Sequence, residues 1–501
     1  MTRGWKSEIL PGLLLLKDTC NVFIVRKEEE CISIDFGSGE WLDKMGSSIR
    51  GTLRHVFLTH HHEDQCHGLA KFAKRNFTVH APFNENIFLD PSLNSKLTRK
   101  NAHIGTGCPP SYSIPRVGIK NLSYDMGEAS DFFWNLDRIR FLPTPGHGPN
   151  ACSILMDIAG KHVLFCGDAA YAGGKIWEPY HLEWDHWTGA GALRAFEGIE
   201  KISKIPIDVL CPSHGPIVSG RKNVADTLNK LSEKLLDFYR AKGNISPGIQ
   251  DSYIPPRKIL SSGAKEILPH LYQFGCNGYL LVSESGSSLA VDPFSADMPA
   301  LEKLMKEFKC DPPSHAVVSH YHFDHCDGIF HLKTEYGTKL VLHPSVAFPL
   351  EKSPSLDAPW LLCRIKADNL WPQDGTWKWN EYSFKVSHWP GQTWWHCIFM
   401  AQIDGKRVAF GGDSFQPSSR WNGTGGFCAY NRSRFREGFI KSAQKIIRWA
   451  PDIMACGHDT YYRFNPDKFR EIISWAKFAE KSIRELCPSG DIGKQYFRWK
   501  I

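Results

Sequence analysis

Two short apolar runs, HVFLT (His55–Thr59) and HAVVS (His315–Ser319), each break off into a cluster of histidines. Both are β-branched and apolar without regular polar alternation, which predicts buried strands. Past the histidines, LAKFAKR (Leu69–Arg75) and IFHLKTE (Ile329–Glu335) predict helices. KHVLFCGD (Lys161–Asp168) and KRVAFGGD (Lys406–Asp413) predict strands ending on a Gly-Asp turn, and the preceding IAGK and IDGK predict hairpin turns. Val224, Leu228, Leu231, Leu235 and Phe238 recur at helical spacing, as do Phe469, Ile472, Ala476, Ala479 and Ile483. An amphipathic helix is therefore expected late in each half. Strands alternating with helices, with polar clusters at strand ends, suggest layered sheets covered by helices.

These elements come in pairs and in the same order, which is the signature of a duplicated domain. Thr59-His60-x-His62-x-Asp64-x-Cys66-x-Gly68 matches Ser319-His320-x-His322-x-Asp324-x-Cys326-x-Gly328. Upstream, TCNVFIV with Asp35 pairs with GCNGYLLV with Asp292; downstream, VHAP at His80 pairs with LHPS at His343. TPGHGPNACSILMDIAGKHVLFCGD (Thr144–Asp168) pairs with WPGQTWWHCIFMAQIDGKRVAFGGD (Trp389–Asp413), and CPSHG around His214 with ACGHD around His458. The stretch between the copies is rich in Pro, Gly and Ser, as a boundary should be. Domains at 1–245 and 263–501 with a linker at 246–262 are expected.

Composition narrows the class. A chain of 501 residues exceeds what one core usually holds, roughly 250–300 residues. A net charge of +7 without a dense Lys/Arg run gives little support to nucleic acid or a membrane surface as partner. The apolar stretch Ile9–Leu16 is interrupted by Pro11 and Gly12, falls short of the roughly 20 residues of a membrane span, and lacks a cleavage site. The 15 cysteines are odd in number, with no CxxC pair, which suits reduced thiols. A cytoplasmic protein without a membrane segment is expected.

Imidazoles and carboxylates in this pattern are the ligand types of a hard-to-borderline divalent metal. Matched His/Asp clusters in both halves weigh against a metal-free polar cluster. Both halves resemble the metallo-β-lactamase superfamily, whose signature HxHxDHxxG is followed by a Gly-His, a Gly-Asp and a final His. The resemblance implies an α+β fold, an αββα sandwich, in each half, with one or two metals at one rim. In the first copy it implies His60, His62 and His147 for one metal, Asp64 and His214 for a second, and Asp168 bridging. In the second copy it implies His320 and His322 for one metal, Asp324, His325 and His458 for the other, and Asp413 bridging. Gln65 and Gln392 depart from the pattern and are expected to be weak amide ligands. The first copy should therefore favour the first metal position, and the second copy the second. His67, His388 and His396 are the candidates to compensate.

The resemblance further implies Zn2+, with Fe2+ or Mn2+ as alternatives, one or two per domain. The activity it implies is hydrolysis of an ester, thioester, lactone or phosphoester by a metal-held hydroxide, with Asp64 and Asp324 in catalytic roles and a small molecule as substrate. Two other readings stand beside it. One is a mononuclear non-haem iron oxygenase like the persulfide dioxygenases. The other is one copy as a degenerate scaffold, as in the long form of the tRNA 3′-end endonuclease. Diiron electron transfer is disfavoured, because those relatives carry Glu where this chain has His62 and His322. Cys66 and Cys326 suit packing. Trp389, Trp394, Trp395 and Trp421 suit either a substrate wall or packing.

Overall fold

The computed structural model describes residues 6–44, 49–72, 76–90, 93, 119, 122–127, 131–184, 189–243, 253–352, 358, 360–361, 363–415 and 431–495. Its internal contacts fall into two units: Met1–Asp185, Gly189–Arg240 and Lys481–Ile501 in one, His186–Thr188 and Ala241–Glu480 in the other. Residues 246–252 of the expected linker lie outside the described residues. Its last part, Lys258–Ile259, pairs antiparallel with Lys265–Leu268 as a strand of the second unit.

In the first unit a seven-stranded sheet follows chain order from Lys6–Leu10 to Leu122–Met126. It is antiparallel through Glu30–Ile34, then parallel through Thr52–Phe57, Thr78–Pro82 and Leu122–Met126. A six-stranded sheet, in the order Val218–Ser219, Val209–Pro212, Lys161–Gly167, Cys152–Ile158, Asp137–Pro143 and Asp131–Trp134, packs against it. Leu13, Leu15, Phe23, Val25 and Ile34 of the first sheet share a core with Phe141, Ile154, Met156, Val163 and Phe165 of the second. The opposite face of the first sheet, Leu14, Leu16, Val22 and Val56, is covered by Phe36, Trp41, Leu69 and Leu89. Burial on both faces explains why Leu13–Leu16 reads as four leucines without alternation. Pro11 and Gly12, at φ +82° for the glycine, turn the apolar Ile9–Leu16 stretch into a hairpin.

The second unit repeats the plan with an eight-stranded sheet, Lys258–Ile259 to Asn369–Leu370, and a six-stranded one, Asp374–Trp379 to Thr460–Arg463. Each unit is an α+β sandwich, as expected. The turns of IAGK and IDGK are two-residue hairpin loops closed by Ile158 opposite Lys161 and Ile403 opposite Lys406. Both central residues are left-handed, Ala159 at +49° and Gly160 at +71°, Asp404 at +49° and Gly405 at +75°, the backbone a tight hairpin demands. The late helices are Arg221–Gly243 and Pro466–Leu486, and all ten residues of the two periodic stripes are buried.

One expected helix differs. IFHLKTE lies in a helix, Ile329–Tyr336, but LAKFAKR begins as a 3-10 turn at His67–Ala70. Lys71 N donates to Gly68 O and Phe72 N to Leu69 O, three residues back each time, while Phe72 packs edge-on against Phe36 at 5.8 Å. Residues 73–75 lie outside the described residues. Among the described residues no helix is long and apolar enough to cross a membrane.

Phe165 is fully buried, with its ring 5.2 Å from that of Phe23 across the two sheets. Phe165→Ala is expected to destabilise the first unit by about 3–5 kcal/mol, measured by denaturant unfolding. A loss below about 1 kcal/mol would contradict this packing.

Candidate metal centres

The histidine loops leave the ends of Thr52–Phe57 and Pro313–Val317. In the first copy Asp35 accepts hydrogen bonds from Thr59 N at 2.8 Å, Thr59 Oγ1 at 3.0 Å and Ser213 Oγ at 2.6 Å. Thr59 Oγ1 also meets His60 Nδ1 at 3.0 Å, leaving Nε2 to face the site. Gly68 ends the loop because a Cβ there would lie 2.2 Å from the Ser38 backbone, and at Gly328 it would lie 2.8 Å from Pro293.

In the first copy His60, His62 and His147 each bring one ring nitrogen within 4.8 Å of the others. All three are buried, and burial, reinforced by neighbouring imidazoles, pushes their pKa values well below the ordinary histidine value. Neutral imidazole is the form that binds metal. His60 Nε2 is buried without a hydrogen-bond partner, which fits a cation at this point. Asp168 Oδ2 lies 3.6 Å from both His60 Nε2 and His147 Nε2. His214 joins Asp168 Oδ1 to Asp64 Oδ2 at 2.8 and 3.1 Å. Burial opposes its charge, but the Asp168 and Asp64 carboxylates outweigh that and hold it at about 11. Gln65 is fully buried, and its Nε2 donates to Asp168 Oδ2 at 3.2 Å and Asp64 Oδ2 at 3.3 Å.

The second copy gathers two sets, His320 with His322 and Asp413, and Asp324 with His325 and His458. Asp413 Oδ1 is 3.1 Å from His325 Nε2, and its Oδ2 is 3.1 Å from His458 Nε2. Burial works against the Asp413 charge, yet these imidazoles hold the carboxyl well below its usual range. His458 is raised to about 10 by Asp413 against the effect of burial. His320 goes the other way, lowered by burial and by His325. Here the anchoring carboxylate is Asp292, 2.6 Å from Ser319 N and 3.1 Å from His325 Nδ1. Gln392 Nε2 donates to Asp413 Oδ2 at 3.3 Å.

The three compensating candidates sit differently. His67 Nδ1 is 2.9 Å from Glu63 O at the mouth of the first site, and His388 Nε2 donates to Trp394 O at 2.8 Å. His396 is buried and stacks on His320 at 4.9 Å. Trp389 and Trp395 are buried in packing, whereas Trp421 lies outside the described residues. Cys66 and Cys326 are fully buried beneath the loops.

Three neighbours escaped the sequence reading. His181, in the 3-10 turn Pro179–Leu182, packs on His62 at 4.2 Å and His147 at 4.6 Å. Trp177 stacks flat on His214 at 4.4 Å. Asn431 Oδ1 lies 3.3 Å from His322 Nε2. The first two stand in WEPYH, whose Pro-containing turn carries no spacing that points to a site. His62, Asp64, His214, Trp177 and His181 line a cavity of about 350 Å³.

The sequence model of the metallo-beta-lactamase superfamily matches residues 16–214 and 271–458, once in each copy. The chain belongs to the metallo-beta-lactamase superfamily. Similar solved structures include a B3 metallo-beta-lactamase with an active-site glutamic acid, at 16% identity and TM-score 0.37, covering 48% of this chain and 91% of that one. A subclass B3 metallo-beta-lactamase of Bradyrhizobium japonicum follows at 14% and TM-score 0.35, covering 46% of this chain and 91% of that one. A beta-lactamase domain protein from Burkholderia ambifaria is 16% identical, with TM-score 0.35 and coverage of 48% and 79%. Family membership and the His/Asp sets together support divalent metal binding by this superfamily member.

The glycines that close the loops give a graded expectation. Gly68→Ala, whose methyl meets backbone at 2.2 Å, should destabilise by about 1–3 kcal/mol, and Gly328→Ala, at 2.8 Å, by less. Urea unfolding of both variants checks the order, and a reversed order would contradict these loop positions.

Proposed function

We propose that this superfamily member is a zinc hydrolase that cleaves an ester, thioester, lactone or phosphoester bond of a small molecule. The observation that carries the reading is the pair of ligand sets, the buried His60, His62 and His147 in one copy and the partly buried Asp324, His325 and His458 in the other. These residues, with Asp168 and Asp413 beside them, would hold the metal. When bound, zinc supplies Lewis acidity that brings the pKa of a coordinated water down to about 7.

The chain's own residues complete the site. Asp64 and Asp324, with side chains 38% and 22% exposed, take the proton the attacking water gives up and return it to the leaving oxygen or sulfur. Asn277 Nδ2 donates to Asp324 Oδ2 at 3.0 Å and positions that carboxylate, whereas in the first copy Thr19 Oγ1 holds the Asp64 backbone carbonyl at 2.7 Å and the Asp64 carboxylate meets His214 Nε2 at 3.1 Å. Trp177, flat on His214, gives the cavity of about 350 Å³ an aromatic wall, and that volume suits a small molecule.

Elemental analysis is expected to find zinc. His60→Ala or His147→Ala, and Asp324→Ala or His458→Ala, should each lower the zinc count. Hydrolysis of generic esters or phosphodiesters should fall by more than the ~10–100-fold that loss of an outer-shell partner costs. Zinc content unchanged in all four variants would refute the ligand assignment. The amide nitrogen of Gln65, set between Asp64 and Asp168, favours a second reading of the first copy as a one-metal iron oxygenase. Iron in place of zinc, with oxygen uptake on a thiol substrate, would decide for it.

A further inference from the structure

The two copies differ at paired positions around the second metal position. Gln65 stands where the second copy has His325, and Ser213 stands where it has Gly457. The backbone makes this correspondence secure, since Ser213 N donates to Gly167 O and Gly457 N to Gly412 O at the same strand end. In the second copy there is no space for a side chain at 457. A Cβ on Gly457 would lie 2.6 Å from His325 Cε1 and 2.3 Å from Asp413 Oδ1. In the first copy the serine takes that place, and its hydroxyl donates to Asp35 Oδ2 at 2.6 Å. The equivalent oxygen, Asp292 Oδ2, is the one that His325 Nδ1 meets at 3.1 Å. A histidine at 65 and a serine at 213 would therefore compete for one volume and one carboxylate oxygen. Gln65 leaves the Asp35 oxygen to the serine, and its Nε2 points two donors at Asp64 and Asp168 where a cation would sit.

We infer that Ser213, bonded to Asp35, and Gln65, bonded to Asp64 and Asp168, together close the second metal position of the first copy, so that Ser213 sets its metal number as much as the missing histidine does. The inference rests on the metal-binding reading above for its metal arm. Its steric arm stands without metal.

The test uses the full-length chain, stripped with chelator and then titrated with zinc alone, with bound zinc counted by elemental analysis. Gln65→His by itself is expected to gain no zinc, whereas Gln65→His with Ser213→Gly gains one per chain. Gly457→Ser is expected to lose one. In the metal-free proteins, Gln65→His should lower Tm by about 4 °C or more, and adding Ser213→Gly should recover most of that loss. A single Gln65→His variant that gains a zinc, or a double variant that gains none, overturns the inference while leaving the hydrolase reading intact. If the unaltered chain binds no zinc at all, the metal reading fails, and the Tm cycle alone decides the pair. Additive Tm changes would then refute it.

Discussion

Each histidine loop hangs on one buried carboxylate, Asp35 in the first copy and Asp292 in the second. Such a group is costly inside a protein unless donors surround it. Burial pushes Asp35 up to about 7 even with Ser213 and Thr59 donating to it. Both aspartates also take left-handed backbone, φ +55° and +48°, which an L residue keeps only where its surroundings over-determine it. What over-determines them is the loop. Thr59 and Ser319 each donate through backbone and hydroxyl, and the same hydroxyls meet Nδ1 of His60 and His320 at 3.0 and 3.1 Å. One carboxylate thus fixes the strand end, the loop and the ring orientation of the first histidine, the kind of outer partner that metal-binding imidazoles require.

From that common anchor the copies balance charge differently. The first crowds three imidazoles that burial keeps neutral, with Asp168 beside them. The second sets Asp413 between His325 and His458, each at 3.1 Å, and against the effect of burial the imidazoles lower the pKa of the carboxyl while the carboxylate raises theirs. The two glutamines sit where each arrangement departs from the other, and both point Nε2 at the central aspartate. The amide supplies donors to a carboxylate that has lost an imidazole from its surroundings.

Much of this could be read from residues because the duplication supplies an internal alignment. Strands, hairpins and late helices follow from apolar spacing and from Ala159-Gly160 and Asp404-Gly405, where turn chemistry is local. The sandwich followed from the family resemblance, and the structure agrees. The turn at His67–Ala70 was not readable, since LAKFAKR has helical spacing and only the ring contact of Phe72 with Phe36 marks the tighter path. His181 and Trp177 were hidden for another reason. They reach the site from a loop far along the chain, and neither lies at a spacing that local periodicity can detect. The tryptophans that stood out beside Gln392 belong to packing, with Trp389 donating to Ser442 O at 2.8 Å.

The exchanged positions also bear on whether the departures from the family pattern are decay. A site losing ligands at random would leave their old partners unsatisfied, because nothing selects the neighbours to follow. Asp35 instead receives the Ser213 hydroxyl at 2.6 Å, on the oxygen its counterpart offers to a histidine. Asp64 and Asp168 receive the Gln65 amide. In the second copy Asp413 receives the Gln392 amide at 3.3 Å. Where a histidine of the pattern is missing, the aspartates around it have other donors. Two residues that differ between the copies around one metal position, each bonded to a carboxylate there, describe a site held in a different form, which is why the serine beside His214 matters as much as the glutamine after Asp64.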